Sequence, residues 1–237
     1  MAPPGFDILH EDPDCLFVAK PAGLLTQAPL GIDSLEFRIK RFLKERGDNL
    51  GEIYLGVPHR LDRPVSGVIV FAKHIRAARK ISKQFERRQV EKIYWALVDG
   101  DVMPDDATWT DFLKKIDGEP RTIVVDATDA EGRKAILHYR AVQRAAGRTL
   151  LEIVLETGRT HQIRVQCASR GFPLLGDEMY GSTQPFGPWS DDERERLIAL
   201  HARRLRFRHP TTREYIEIVA PLPEIWRAAG VEEPATS

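Results

Sequence analysis

"HRLDRPVSGVIVFAK", residues 59–73, runs from a charged turn into an apolar strand. Its second half, GVIVFAK, is β-branched and apolar, the pattern of a buried strand. Pro64 and Gly67 set the direction of the chain just before that strand. In the turn, Arg60 and Arg63 flank a lone acid, Asp62. A surface ion pair is one reading of this acid, and such pairs contribute only about 0–1 kcal/mol. A carboxylate at the mouth of a sheet beside positive charge is also a functional-site arrangement.

Outward from this stretch, short apolar runs and turn residues alternate. DILH and CLFVAK, separated by EDPD, read as strand, turn and strand. SLEFRIKRFLKERG reads as a helix, with Ser34 as N-cap and Gly47 as its stop. HIRAARKISKQFERRQ has Ile75, Ala78, Ile81 or Ser82, and Phe85 in helical register, and KIYWALVDG reads as a strand. Residues 105–155 are β-rich: ATWTDFL, RTIVVD, KAILHYRAVQ and TLLEIVLETG. HQIRVQCASRG reads as a helix closed by Gly171, and a short helix is expected around RERLIAL. HARRLRFRHP and EYIEIVAP complete the strands. Hairpin-like pairs dominate and no regular βαβ rhythm appears. The expected class is therefore α+β, with a large mixed, mainly antiparallel sheet and flanking helices. One bilobed domain is expected over residues 1–229, with a disordered tail from 230 to 237.

Composition narrows the function classes. With 35 basic and 35 acidic side chains in 237 residues, the formal net charge is zero. Two distant cysteines, Cys15 and Cys167, do not make a disulfide framework. The N-terminus has no signal-peptide pattern, and no apolar run approaches the length of a spanning helix. A cytoplasmic protein, monomeric for want of an apolar interface helix, is the expectation. The seven histidines form no metal-ligand spacing, and neither a dinucleotide fingerprint nor a phosphate loop is present. No metal and no cofactor are expected. Chemistry must then run on carboxylate, phenol and guanidinium groups.

Three further features carry chemical signal. In TGRTHQIRVQ, residues 157–166, the polar cluster Arg159, Thr160, His161, Gln162 and Arg164 lies between a strand and a helix. A helix N-terminus favours an anion, whether a phosphate or the Asp62 carboxylate, although helix capping by Thr160 would also explain part of the cluster. Three basic runs, RIKRFLKER, KHIRAARKISKQFERRQVEK and HARRLRFRHP, suggest one positive face in a neutral protein, the footprint of a phosphate backbone. Tyr94, on a probable strand, suits either a core position or stacking on a base.

In order along the chain, KPAGLL, HRLDRPVSGVIVFAK, EKIYWALVDG, LETGRTHQIRVQCASRGFPLLGDEMYG and LHARRLRFRHP resemble the motifs of the RluA family of RNA pseudouridine synthases. The resemblance spans roughly residues 7–222. It implies the pseudouridine synthase fold with a central active-site cleft, and a catalytic domain without an S4 RNA-binding module. It makes Asp62 the catalytic aspartate, Tyr94 the tyrosine that packs on the target base, and Arg164 the basic partner of the aspartate. Arg60 becomes a candidate to fill the gap left by a flipped base, and Arg63, Arg159, Thr160, His161 and Gln162 candidate RNA contacts. Val65 departs from the family pattern, which has Thr there. The implied reaction converts uridine to pseudouridine in tRNA or rRNA. A non-catalytic RNA-binding or chaperone role would use the same basic face and leave Asp62 idle. A glycosidase would need a second carboxylate, for which Asp177 is the candidate.

Overall fold

The computed structural model describes residues 5–47 and 51–233. The chain divides into two compact units. One holds residues up to Lys92 together with Ala202–Pro221, and the other holds Ile93–His201 together with residues from Leu222 onward. The chain passes between them inside one strand, inside a second strand, and at Pro221–Leu222.

The first unit contains β1 (Asp7–Glu11), β2 (Cys15–Lys20), α1 (Leu35–Arg46), β3 (Ser66–Ala72) and α2 (Ile75–Glu86). The strand β4 (Glu91–Asp99) begins in it and continues into the second unit. The helix α1 begins as its sequence requires, with the Ser34 hydroxyl accepting from the Phe37 N–H, and ends at Gly47 in the left-handed conformation. Every residue of β3 is buried, as its unbroken apolar run predicts. β3 pairs antiparallel with β2, with Lys20 opposite Gly67. Gly67 has φ +121°, and a Cβ there would stand 2.2 Å from the Ala202 carbonyl oxygen, so only glycine lets the two chains approach. The core of this unit joins Phe17, Val68, Val70, Ala77, Ile81 and Phe207.

The second unit adds β5 (Asp106–Lys115), β6 (Thr122–Val125), β7 (Arg133–Ala145), β8 (Arg148–Leu155), α3 (Gln162–Ala168) and a 3-10 turn at Glu178–Tyr180. Its strands run in the order β4-β8-β7-β5-β6, each pairing antiparallel. The strand β9 (Leu200–Arg208) begins here and ends in the first unit, where β10 (Tyr215–Val219) pairs with it antiparallel. In the first unit the strand order is β1-β2-β3-β9, with β10 on β9. The class is α+β, as expected, with ten strands and four α-helices among the described residues.

Two local expectations fail for identifiable reasons. RERLIAL forms no helix, because its end is drawn into strand-like pairing: the Ala199 N–H donates to Leu175 and the Ala199 carbonyl accepts from Leu97. Ile198, Ala199 and Leu200 are thereby buried. The tail expected to be disordered from residue 230 is instead held through Glu233. Val231 is buried in the second unit's core, and the Gly230 carbonyl accepts from the Gln143 side chain. Residues 234–237 of that expectation lie outside the described residues. A short helix, α4 (Glu224–Ala228), precedes this segment and buries Trp226.

Candidate active site

The acid at the centre of the opening stretch sits in a loop whose backbone is pinned on both sides. On the near side, the Thr26 hydroxyl donates to the Leu61 carbonyl at 2.8 Å and accepts from the Leu61 N–H at 3.1 Å. On the far side, the Arg63 carbonyl accepts from the Gly23 N–H at 2.9 Å and from the Lys20 ammonium at 3.0 Å. Between these clamps, the Asp62 carbonyl accepts from the Val65 N–H at 3.1 Å. Asp62 itself is half-buried. The KPAGLLTQ segment therefore braces the loop that carries the acid, and α1 braces that segment in turn. The first N–H groups of α1, Leu35 and Glu36, donate to the Leu25 and Thr26 carbonyls.

Lys20 is the unexpected member. It is 1% exposed and gives its ammonium hydrogens to the carbonyls of Pro21 at 2.8 Å, Leu24 at 2.6 Å and Arg63 at 3.0 Å. Three carbonyl acceptors suit the ammonium, since a neutral amine has only two hydrogens to give. Burial pushes its pKa down to about 7, while the Asp62 charge acts in the opposite sense. A buried positive charge thus stands within electrostatic reach of Asp62. The sequence held a faint signal, a lysine ending the apolar run CLFVAK, but not its role.

His59 opens the motif and anchors it to β3. Its Nε2 accepts from the Val70 N–H at 3.1 Å, and its ring stacks on Phe85 with centroids 4.5 Å apart. Burial pushes the imidazole down to about 3, with Lys92 acting in the same sense, so the ring is a neutral acceptor at physiological pH. Val65 is buried and apolar, which fits a site where a hydroxyl would need its own partner. Arg60 is exposed, Arg63 half-buried.

The second unit carries the other predicted residues. Tyr94 lies on β4 opposite Ile153 of β8 and is half-buried. Arg164 is buried on α3 and forms a two-pronged ion pair with Asp177, at 2.6 and 2.7 Å. Its guanidinium also lies over the Tyr180 ring at 4.9 Å. Asp177, weighed from sequence as a second glycosidase carboxylate, is 1% exposed and spent on holding Arg164.

The loop before α3 differs from a simple capped helix. The position ahead of α3 is His161 rather than Thr160, in the left-handed conformation with φ 53°, and its side chain makes no cap bond. Its Nδ1 instead lies 2.9 Å from the Tyr180 hydroxyl. The Gln162 side chain is buried and accepts from Thr157 at 2.8 Å and from the Arg159 N–H at 3.0 Å, while donating to the Ile136 carbonyl at 3.1 Å. Gln162, expected as an RNA contact, thus shapes the loop and has no surface to offer. Arg159 is partly tied down through the Lys134 carbonyl.

The three basic runs do not make one equally available positive face. On α1, Arg38, Lys40, Arg41 and Arg46 each meet an acid. Alternation does throw Arg204, Arg206 and Arg208 to one side of β9, but Arg204 pairs with Glu91 and Glu217, and Arg206 with Glu217. Arg206 and Arg208 also cover the Tyr215 ring.

Among the described residues, one group brings metal-type ligand atoms together: Asp12, Cys15 and His209, within 4.8 Å of one another. It does not fit a cation. His209 Nδ1 accepts from the Thr211 and Thr212 N–H groups, so its Nε2 keeps the proton and faces Asp12 at 3.2 Å. Burial, aided by Asp12 and Asp14, pushes the Cys15 thiol up to about 12 and keeps it neutral.

Comparison with known proteins converges on one family. The family model described as RNA pseudouridylate synthase matches residues 14–169. An uncharacterised RNA pseudouridine synthase of Chlorobaculum parvum is 37% identical over 231 residues, covering 92% of this chain and 71% of the relative. A ribosomal large subunit pseudouridine synthase D of Xanthomonas campestris is 36% identical over 225 residues, covering 92% and 66%. The structure of human RNA pseudouridylate synthase domain containing 4 superposes with TM-score 0.78 at 25% identity, covering 96% of this chain and 94% of that one.

Proposed function

This chain belongs to the RNA pseudouridine synthase family, which isomerises uridine to pseudouridine in RNA, and from that premise we propose that Asp62 is the carboxylate through which it acts. The observation that carries the assignment is the double clamp. Leu61 is held by Thr26, and Arg63 by Gly23 and Lys20, so the acid between them has a fixed backbone. Preorganisation of this kind lowers the cost of reaching the reacting geometry.

The reaction breaks the N1–C1′ bond, turns the uracil and forms a C5–C1′ bond, with no group gained or lost. Cleaving the glycosidic bond builds positive charge on the sugar, and an anionic carboxylate stabilises that charge or captures it covalently. Tyr94 and Arg164 take the roles the family resemblance implies, the first against the target base and the second toward the aspartate. The target base must leave its stack, at a cost of about a few kcal/mol that stacking and phosphate contacts offset. The curated relatives include several synthases of the ribosomal large subunit, which makes ribosomal RNA the favoured substrate and transfer RNA the second.

The test is a map of pseudouridines across both RNA classes in cells lacking the protein, restored with wild type or with Asp62→Asn. A position lost on deletion and rescued only by wild type supports the role of Asp62 and names the substrate. Rescue by Asp62→Asn at the wild-type level removes Asp62 from the chemistry and leaves an RNA-binding role on the same scaffold.

A further inference from the structure

Of the three basic runs, α2 differs from the others. Its apolar side, Ala77 and Ile81 with Phe85 beside them, packs into the first unit's core. Gln84 fixes the helix further, exchanging hydrogen bonds with the backbone of Arg208 at 2.8 and 3.0 Å. The opposite side carries Arg76, Lys80, Lys83 and, at the helix end, Arg87, all exposed. At about 100° per residue these four fall within an arc of about 60°. Glu86 is the single acid in the helix and lies outside that arc. Among the described residues, Arg76, Lys83 and Arg87 have no ion-pair partner, and Lys80 meets only the Pro210 carbonyl. This contrasts with α1 and β9, whose arginines are largely matched by acids.

We propose that this face of α2 is a docking strip for the phosphate backbone of RNA outside the target nucleotide. The inference rests on the RNA pseudouridine synthase reading and adds where the substrate is gripped. The strip is about 16 Å long, eleven steps from Arg76 to Arg87 at about 1.5 Å each. A nucleic-acid duplex passes one phosphate per about 1.7 Å of axis, so several phosphates lie beside a strip of that length. Guanidinium and ammonium groups on a helix locked to a core present charge without reading base identity, which makes the contact positional rather than sequence-specific. An acidic protein surface would need hydrophobic anchors beside the charge to bind stably, and exposed Ile75 alone offers little of that.

The experiment uses the full chain with Arg76→Gln, Lys83→Gln and Arg87→Gln combined. Its control is Arg38→Gln with Arg41→Gln on α1. Affinity for a short RNA duplex of arbitrary sequence is measured over a series of KCl concentrations. Each released phosphate contact is worth a slope of about 0.7–0.9 in log K against log salt, so the α2 variant should lose about two to three in slope. Its affinity at fixed salt should fall by about 10- to 100-fold, while the control keeps the wild-type slope. A wild-type slope in the α2 variant overturns the proposal, as does an equal loss in the control. Formation of pseudouridine by the wild-type protein is scored separately. Its absence refutes the synthase reading, and an unchanged slope refutes only the docking strip.

Discussion

Replacing Lys20 with Met keeps most of the stem and removes the ammonium. Three carbonyls lose a donor: Pro21, Leu24 and Arg63. The Leu24 bond is the buried one, and Arg63 retains the Gly23 N–H. Hydrogen bonds from a charged donor are worth about 1.5–3 kcal/mol, and an orphaned buried acceptor costs about 1–3 kcal/mol. Against this stands the relief of no longer burying a charge. The net expected loss is about 2–4 kcal/mol, or roughly 4–16 °C in Tm for a chain of this size. The sign of the pH dependence follows from the depressed lysine. In the unfolded chain Lys20 holds its proton to 10.5, in the folded chain to about 7. Between those values the unfolded state binds more protons, so wild-type stability rises with pH, by up to about 2 kcal/mol from pH 7 to 8.5. Lys20→Met has no such group, and the gap between the two proteins should widen over that range. Urea unfolding at pH 6.5, 7.5 and 8.5 measures it. Equal midpoints at pH 6.5, or a gap that stays constant with pH, would refute the account of Lys20 as a buried, strained cation. Product formation by the variant should also fall, by about tenfold or more, because the Arg63 side of the Asp62 loop loses a restraint.

Two further outcomes test the parts of the site separately. Thr26→Val preserves shape but orphans the N–H and carbonyl of Leu61, both buried, and should cost about 2–4 kcal/mol together with a clear loss of turnover. Wild-type turnover in that variant would show that the near-side clamp does not position Asp62. Asp177→Asn removes the countercharge of buried Arg164, and calorimetry should show a loss of about 3–5 kcal/mol. A melting temperature within a degree of wild type would mean that Arg164 is satisfied without Asp177.

Much of this protein was legible one residue after another. Unbroken apolar runs such as GVIVFAK announce buried strands, and Ser34 and Gly47 mark the ends of α1, because each signal acts over a few neighbouring residues. The charge pattern likewise marked KHIRAARKISKQFERRQVEK as a basic helical run. Motif order carried the family, and the roles proposed for Asp62, Tyr94 and Arg164 rest on that resemblance. What the sequence could not settle were pairings between distant residues. A lysine 43 positions away clamps the Arg63 carbonyl, and a threonine 35 positions away brackets Leu61. Asp177 became the partner of Arg164 rather than a reagent, and the acids beside α1 and β9 decided which basic run stays available. Tertiary structure alone decides these matters, since a buried polar group takes whatever donor or acceptor the fold brings to it, and local propensity says nothing about which one arrives.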